Sequence, residues 1–168
     1  AQNAAAVWSN GYVGVWHMSG SPLGTGAIQD SSSVNNDGTS VGMDATNQIN
    51  GPVGGALNFD GSGEYIRIDT TNGDATAVDP ARLTIEAWAQ STGDTGTEER
   101  IVNRRNVIGL STYESYGLAT SSSDRTKLMN TTGSPDTVGT SGSLPEDRWR
   151  YVTGVLSGST SSPITEPS

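Results

Sequence analysis

Residue types able to carry out covalent chemistry are sparse in this chain of 168 residues. Cysteine is absent, which removes thiol nucleophiles, disulfides and cysteine-ligated zinc. The single histidine, His17, would have to serve any Ser-His-Asp relay. It lies inside the alternating segment Tyr12 to Met18, with no serine-elbow sequence nearby, and is read as a strand histidine. Hydrolysis of a glycosidic bond takes two carboxylates placed on either side of that bond. Glu86 in LTIEAW stands alone, because Thr84 and Trp88 occupy the positions that share its face. Neither constellation supports catalysis, and the chain is read as a non-enzyme.

Binding chemistry is better represented. Asp30, Asn35 and Asp37 place oxygen donors in the long turn-rich connection from Ser19 to Ser40, and Asp60 adds another at the FDG turn. A hard cation such as calcium needs several oxygens of this kind to converge, although the same residues in glycine-rich turns also bond their own backbone. Sugars stack on exposed aromatic rings beside amide and carboxylate groups, and Trp88, Tyr65, Tyr113 and Tyr116 are the candidates for such a platform. Trp16, Trp88 and Trp149 are read as packing residues. Tyr113 and Tyr116 sit in a polar stretch and are the least easily explained as core; with Asn103, Arg105 and Glu114 they form the expected ligand-binding set. The formal net charge of −9 and the absence of a basic run exclude nucleic acid and anionic membrane surfaces as partners. No apolar stretch approaches the roughly 20 residues of a membrane-spanning helix.

The elements that must position these residues are short strands. Hydrophobic residues make up 32% of the chain and 22 glycines punctuate it, so the core has to come from spaced aliphatic and aromatic residues between frequent turns. YVGVWHM (Tyr12 to Met18) alternates like a half-buried strand. ALNFDGSGEYIRID (Ala56 to Asp69) reads as strand, glycine turn and strand. LTIEAWA (Leu83 to Ala89) places Leu83, Ile85 and Ala87 on one face and Thr84, Glu86 and Trp88 on the other. Two short strands are expected around Asn103 to Asn106, another at Tyr116 to Thr120, and a weak one at Lys127 to Met129 within the polar stretch Ser121 to Leu144. WRYVTGVL (Trp149 to Leu156) is the last clear strand, with Tyr151, Thr153 and Val155 facing away from Val152 and Leu156. A short helical turn is expected at Asp79 to Arg82, where Pro80 follows a capping Asp, and no long helix. The fold class is all-β.

In this order, VWHM (Val15 to Met18), DSSSVNNDGT (Asp30 to Thr39), GGALNFDGSGEYIRI (Gly54 to Ile68), LTIEAW (Leu83 to Trp88) and RWRYVTGV (Arg148 to Val155) resemble bacterial laminin G-like domains of the concanavalin A-like superfamily. The resemblance covers roughly residues 12 to 158 and implies a two-sheet antiparallel jelly-roll-like sandwich. It also implies a binding or adhesion module of an exported protein and a structural calcium ion. Asp30, Asn35, Asp37 and Asp60 are the residues that would hold that ion, because the loops concerned lie near one another in the family. Glycosidases also occur on this superfamily fold, which keeps a glycoside hydrolase as the least favoured alternative.

The resemblance departs at the C-terminal end, where a hairpin of the YVDG type and an IDE-like last strand normally follow WRYVTGV. The expected sandwich therefore lacks one or two strands and has an open edge that a second chain can fill. This leads to the first functional expectation, a secreted structural or adhesive subunit that self-assembles as a homo-oligomer or polymer. Ala4, Val7, Trp8, Pro163 and Ile164 would be its assembly residues. The second is a stand-alone carbohydrate-binding module with glycans as partners. The expected divisions are an N-terminal extension over 1–11, the sandwich over 12–158 and a polar tail over 159–168. The small residues from Ala1 to Ala6 read as the start of a mature exported chain, placing it outside the cell or at its surface.

Overall fold

The computed structural model describes residues 3–68, 82–93, 97–108, 111–120, 125–130, 136–157 and 160–162. The chain divides into two compact units, Ala1–Val78 and Asp79–Ser168, and each holds its own buried hydrophobic cluster. Among the described residues the only helical elements are one turn, α1 (Ala4–Val7), and a 3-10 turn at Ala45–Asn47 capped by Asp44. The rest of the regular structure is antiparallel strand, as the composition requires.

The first unit contains four short strands, β1 (Gly38–Val41), β2 (Gln48–Gly51), β3 (Gly54–Leu57) and β4 (Tyr65–Ile68). β1 pairs with β4 and β2 with β3, so the two strands read in ALNFDGSGEYIRID both exist but belong to different sheets. Ile28, Met43 and Leu57 are buried, with Trp16, Met18 and Ile66 packed against them.

The strand expected over Tyr12 to Met18 is not formed; only Trp16 makes an isolated bridge, to Asp30. Two of its backbone groups are taken by side chains of the following loop, and Val15 O accepts from Ser31 N at 2.8 Å. Val15 N donates to Asp30 Oδ1 at 2.8 Å, and Asn36 Nδ2 donates to Val13 O at 2.8 Å. A backbone whose donors and acceptors are already satisfied locally has none left for a ladder, and the apolar alternation packs without one.

The second unit is a sandwich of two antiparallel sheets. Its strands are β5 (Arg82–Ala89), β6 (Glu99–Ile108), β7 (Ser111–Thr120), β8 (Arg125–Asn130), β9 (Asp136–Ser143), β10 (Arg150–Ser157) and β11 (Thr160–Ser162). One sheet runs β11-β10-β5 and the other β6-β7-β8-β9. Leu118, Leu128, Leu144 and Val152 form the buried cluster between them, and Ile85, Ala87, Ala89 and Ile101 pack against it. Burying a side chain of this kind contributes about 1.5–3 kcal/mol. The sheets pack closely at Gly154, where a Cβ would lie 2.8 Å from Leu128 Cδ1 and 3.4 Å from Leu118 Cδ1, so a side chain there fits only if these leucine ends shift.

Three other expectations change. The stretch through Asn103–Asn106 is one ten-residue strand, β6, instead of two short ones. Register shifts at Arg100/Val102 and Arg104/Arg105 show how the ladder absorbs its irregularity without breaking. Lys127–Met129 is indeed strand, but the polar stretch after it also contributes β9, whose Thr, Ser and Gly residues carry no hydrophobic period. β9 exists because β8 offers it a ladder. The stretch beyond Ser157 supplies the short strand β11 on the edge of β10. Of the helical turn expected at Asp79 to Arg82, residues 79–81 lie outside the described residues, and Arg82 opens β5.

Thr120 and Thr126 stand opposite each other on β7 and β8, buried to 3% and 0% exposure, and neither hydroxyl has a hydrogen-bond partner among the described residues. An unpaired buried hydroxyl costs free energy that an apolar isostere does not. The two sites give opposite expectations in denaturant unfolding. Gly154→Ala crowds the ends of Leu128 and Leu118 and destabilises by about 1–3 kcal/mol, whereas Thr126→Val raises stability by about 1 kcal/mol. A Gly154→Ala variant as stable as the parent would show that the sheets are not pressed together there.

Candidate functional site

Because Leu83, Ile85, Ala87 and Ala89 turn toward the core, the period of two turns Thr84, Glu86 and Trp88 away from it, and these three are exposed. On β10, burial of Val152, Gly154 and Leu156 leaves Tyr151, Thr153 and Val155 on the opposite side. The register places Thr84 opposite Val155, Glu86 opposite Thr153 and Trp88 opposite Tyr151. Directly opposed residues have Cβ atoms about 4.5–5.5 Å apart, so three rows form one continuous outer face. Trp88 is 46% exposed. Its ring centroid lies 5.4 Å from that of Tyr151, with the ring planes tilted by 57°. Glu86, one row away, makes no hydrogen bond or ion pair among the described residues. Trp88 is therefore an exposed aromatic and not the packing residue expected; Trp16 does pack, with its Nε1 donating to Asn36 O at 2.8 Å.

The corresponding face of the four-stranded sheet is closed at its centre. Ala119 and Met129 are buried to 0% and 3% exposure. Ala119 lies in register between Arg100 and Lys127, and Glu98 joins these two cations, with Arg100 Nη2 at 2.6 Å from Glu98 Oε1. Arg100 Nη1 also lies 3.4 Å from Met129 Sδ.

The expected ligand-binding set falls on the β6–β7 hairpin. Asn103 is opposite Gly117, Tyr116 opposite Arg104, and Arg105 opposite Glu114, with Tyr113 opposite Asn106. The hairpin thus brings the five residues onto two adjacent strands, in the other sheet from Trp88. Tyr116 is half-buried; the side chains of Arg105, Tyr113 and Glu114 lie outside the described residues. Of the assembly residues, Val7 is 63% exposed, whereas Trp8 is half-buried with its ring 5.2 Å from Tyr12 and 5.9 Å from His17. Ala4 opens α1, and Pro163 and Ile164 lie outside the described residues.

Three of the four residues considered for calcium, Asp30, Asp37 and Asp60, accept hydrogen bonds from neighbouring backbone. Asp30 Oδ1 accepts from Val15 N and Ser32 N at 2.8 Å each, and Oδ2 accepts from Ser32 Oγ at 2.8 Å and Asn36 N at 2.9 Å. Four donors aimed at one carboxylate leave a cation no approach to it. Asp37 Oδ1 accepts from Asp30 N at 2.8 Å, and Asn35 is exposed at φ 58°. Asp60 belongs to a separate turn, its Oδ1 accepting from Ser62 N at 2.7 Å and its N donating to Glu64 Oε2 at 2.7 Å. Among the described residues no three His, Cys, Asp or Glu side chains converge to hold a metal ion. This arrangement does not fit a calcium ion.

The Asp30 carboxylate instead organises the loop. Burial pushes its pKa up, but the hydrogen bonds from Ser32, Val15 and Asn36 together outweigh that and hold it below the ordinary aspartate value. A depressed folded-state pKa contributes stability that is complete above the unfolded value, about 3.9, and is lost as pH falls through the lower folded value.

The outer face of β5 and β10, with its aromatic pair, lone carboxylate and hydroxyl, lies on a fold of the lectin-like, binding class. A family model of laminin G-like domains, described as the concanavalin A-like lectin/glucanases superfamily, matches residues 60–164, more than half of the chain. The chain belongs to this laminin G-like family. The matched span includes LTIEAW and RWRYVTGV, and begins after VWHM and DSSSVNNDGT. No curated protein and no solved structure matches the chain. Domains of this family are generally non-catalytic and typically extracellular, although the superfamily includes glycosidases. No helix among the described residues is long and apolar enough to cross a membrane.

Sequence reasoning considered Glu86 and Trp88 separately and missed Tyr151 and Thr153 as their neighbours. The signal was present, because both strands alternate strictly; the missing piece was the register that sets the two outward rows side by side. For the Asp30 loop, Asp30→Asn should lower stability by about 1.5–3 kcal/mol at neutral pH. It should also flatten the low-pH limb of an acid-unfolding curve. Parallel acid limbs in parent and variant would show that the carboxylate's charge does not hold the loop.

Proposed function

We propose that the chain is a non-catalytic, extracellular carbohydrate-binding domain whose binding surface is the outer face of β5 and β10. The observation that carries this is the 46% exposure of Trp88 beside Tyr151, in a sheet whose other side is committed to the core. A large aromatic side chain left in water loses burial that it would gain against an apolar surface. A pyranose offers such a surface through its C–H faces, and its hydroxyls find the Glu86 carboxylate and the Thr153 hydroxyl in the next row.

Binding without hydrolysis follows from the same rows. Thr84, Trp88, Tyr151, Thr153 and Val155 surround Glu86, and none is a second carboxylate. Immobilised-polysaccharide affinity electrophoresis tests the reading. Trp88→Ala should weaken retention by about tenfold or more, with thermal unfolding unchanged and no reducing ends released by either form. Undiminished retention in Trp88→Ala would place the site elsewhere, and the Tyr113–Tyr116 hairpin would be next.

One observation favours the alternative of a self-assembling subunit. β5 pairs with β10 on one side and with no other strand among the described residues, so its eight residues form an outer edge open to strand addition. On that reading, size-exclusion chromatography and negative-stain imaging show large oligomers that are lost on deletion of Ala1–Trp8 or of residues 163–168. A monomer under all conditions removes it.

A further inference from the structure

We infer that the saccharide taken by this face is cationic, a sugar bearing a free protonated amine, as in a partly or fully deacetylated glucosamine polymer. This inference rests on the carbohydrate-binding reading above and specifies its ligand. Three features of the face carry it.

The first is the geometry of the aromatic pair. Rings inclined at 57° with centroids 5.4 Å apart do not form one flat floor for a sugar face. Trp88, 46% exposed, keeps part of its π surface in water, where a cationic group can reach it. A cation within about 6 Å of a ring centroid is attracted by that quadrupole, and tryptophan is the strongest of the aromatic partners.

The second is the placement of charge. Glu86 lies two residues from Trp88 on the same side of β5, about 7 Å along the strand. It has no hydrogen bond or ion pair among the described residues, and the side chains in its own row and in the rows to either side are Thr153, Thr84, Val155, Trp88 and Tyr151. The basic residues of the two strands sit elsewhere. Arg82 starts β5 two rows from Glu86, and Arg150 is half-buried at an alternate position, opposite Ala89. An exposed carboxylate next to two aromatic rings, with no guanidinium or ammonium in its row or the neighbouring ones, is complementary to a positive charge. A neutral sugar hydroxyl can bond that carboxylate, but only an ammonium also neutralises its charge.

The third is the long-range field. With a formal net charge of −9, the chain repels polyanions and draws polycations toward its surface. Acidic polysaccharides are disfavoured on the same ground. In the bound state the amine lies against the exposed part of the Trp88 ring and donates to Glu86, while Thr153 takes a ring hydroxyl.

Isothermal titration of the full chain with three probes tests this: a deacetylated glucosamine hexamer, its fully N-acetylated counterpart, and a cellulose hexamer, all at a pH where the free amine is protonated. The deacetylated hexamer should bind about tenfold tighter or better than either neutral probe, and added salt should narrow that difference. Glu86→Gln, an exposed and nearly isosteric change, should remove most of the preference, weakening the deacetylated hexamer about tenfold and the N-acetylated hexamer by less. Trp88→Ala should weaken all probes. Equal affinity for the deacetylated and N-acetylated hexamers, or a preference that survives Glu86→Gln, overturns the cationic ligand while sparing the carbohydrate-binding reading. Oligolysine bound as tightly as the deacetylated hexamer also overturns it, because charge alone would then suffice. No heat with any saccharide overturns both.

Discussion

The contact between the two sheets of the second unit, built on Leu118, Leu128, Leu144 and Val152, is the constraint from which the outer face follows. Alternate residues of a strand have no choice of side once one row is committed. Val152 and Leu156 fill the core from β10, and Ile85 and Ala87 fill it from β5. Thr84, Glu86, Trp88, Tyr151 and Thr153 are consequently presented together on the far side. A slip of one residue in either strand would bury Glu86 or Trp88 and expose the aliphatic row, which the hydrophobic cost forbids. The geometry of this outer face is therefore set by backbone register instead of by loop conformation.

The first unit holds itself together by another means. Its cluster of Ile28, Met43 and Leu57 is small, and much of the order in its long loop comes from polar side chains closing on backbone. Asp30 gathers donors from Val15, Ser32 and Asn36, and Asn47 bridges Asn58 O and the Glu64 carboxylate. These carboxylates and amides carry out locally what strand ladders do in the second unit. Their acidic character gives the loop its resemblance to a cation site. The N–H groups pointing at Asp30 give it the opposite function, since they supply the positive partial charge that an ion would have brought.

How much was legible in the sequence depended on where each residue finds its partner. LTIEAWA and WRYVTGVL alternate strictly, so their strands and both of their faces could be read directly, and the all-β class and family followed. Tyr12 to Met18 alternates as well, but its ladder partners are Asp30 and Asn36 side chains, which no hydrophobic period reveals. β9 carries almost no apolar residues and exists only because β8 offers an edge. The candidate site was half legible: Glu86 and Trp88 were visibly on one face, but Tyr151 and Thr153 join them only through pairing between strands far apart in the chain. Trp88 was read as core because most tryptophans are, and its exposure depends on what covers the strand, which its own neighbours do not encode.

Which surface a saccharide touches decides between the β5–β10 face and the β6–β7 hairpin. The most direct measurement is a backbone and indole chemical-shift map of the chain titrated with a deacetylated glucosamine hexamer. Binding at the β5–β10 face concentrates shifts at the Trp88 indole and at Thr84, Glu86, Tyr151 and Thr153, with the β6–β7 hairpin and the Asp30 loop unmoved. Shifts centred on Tyr113 and Tyr116 or on the Asp30 loop, with the β5–β10 face silent, would contradict it.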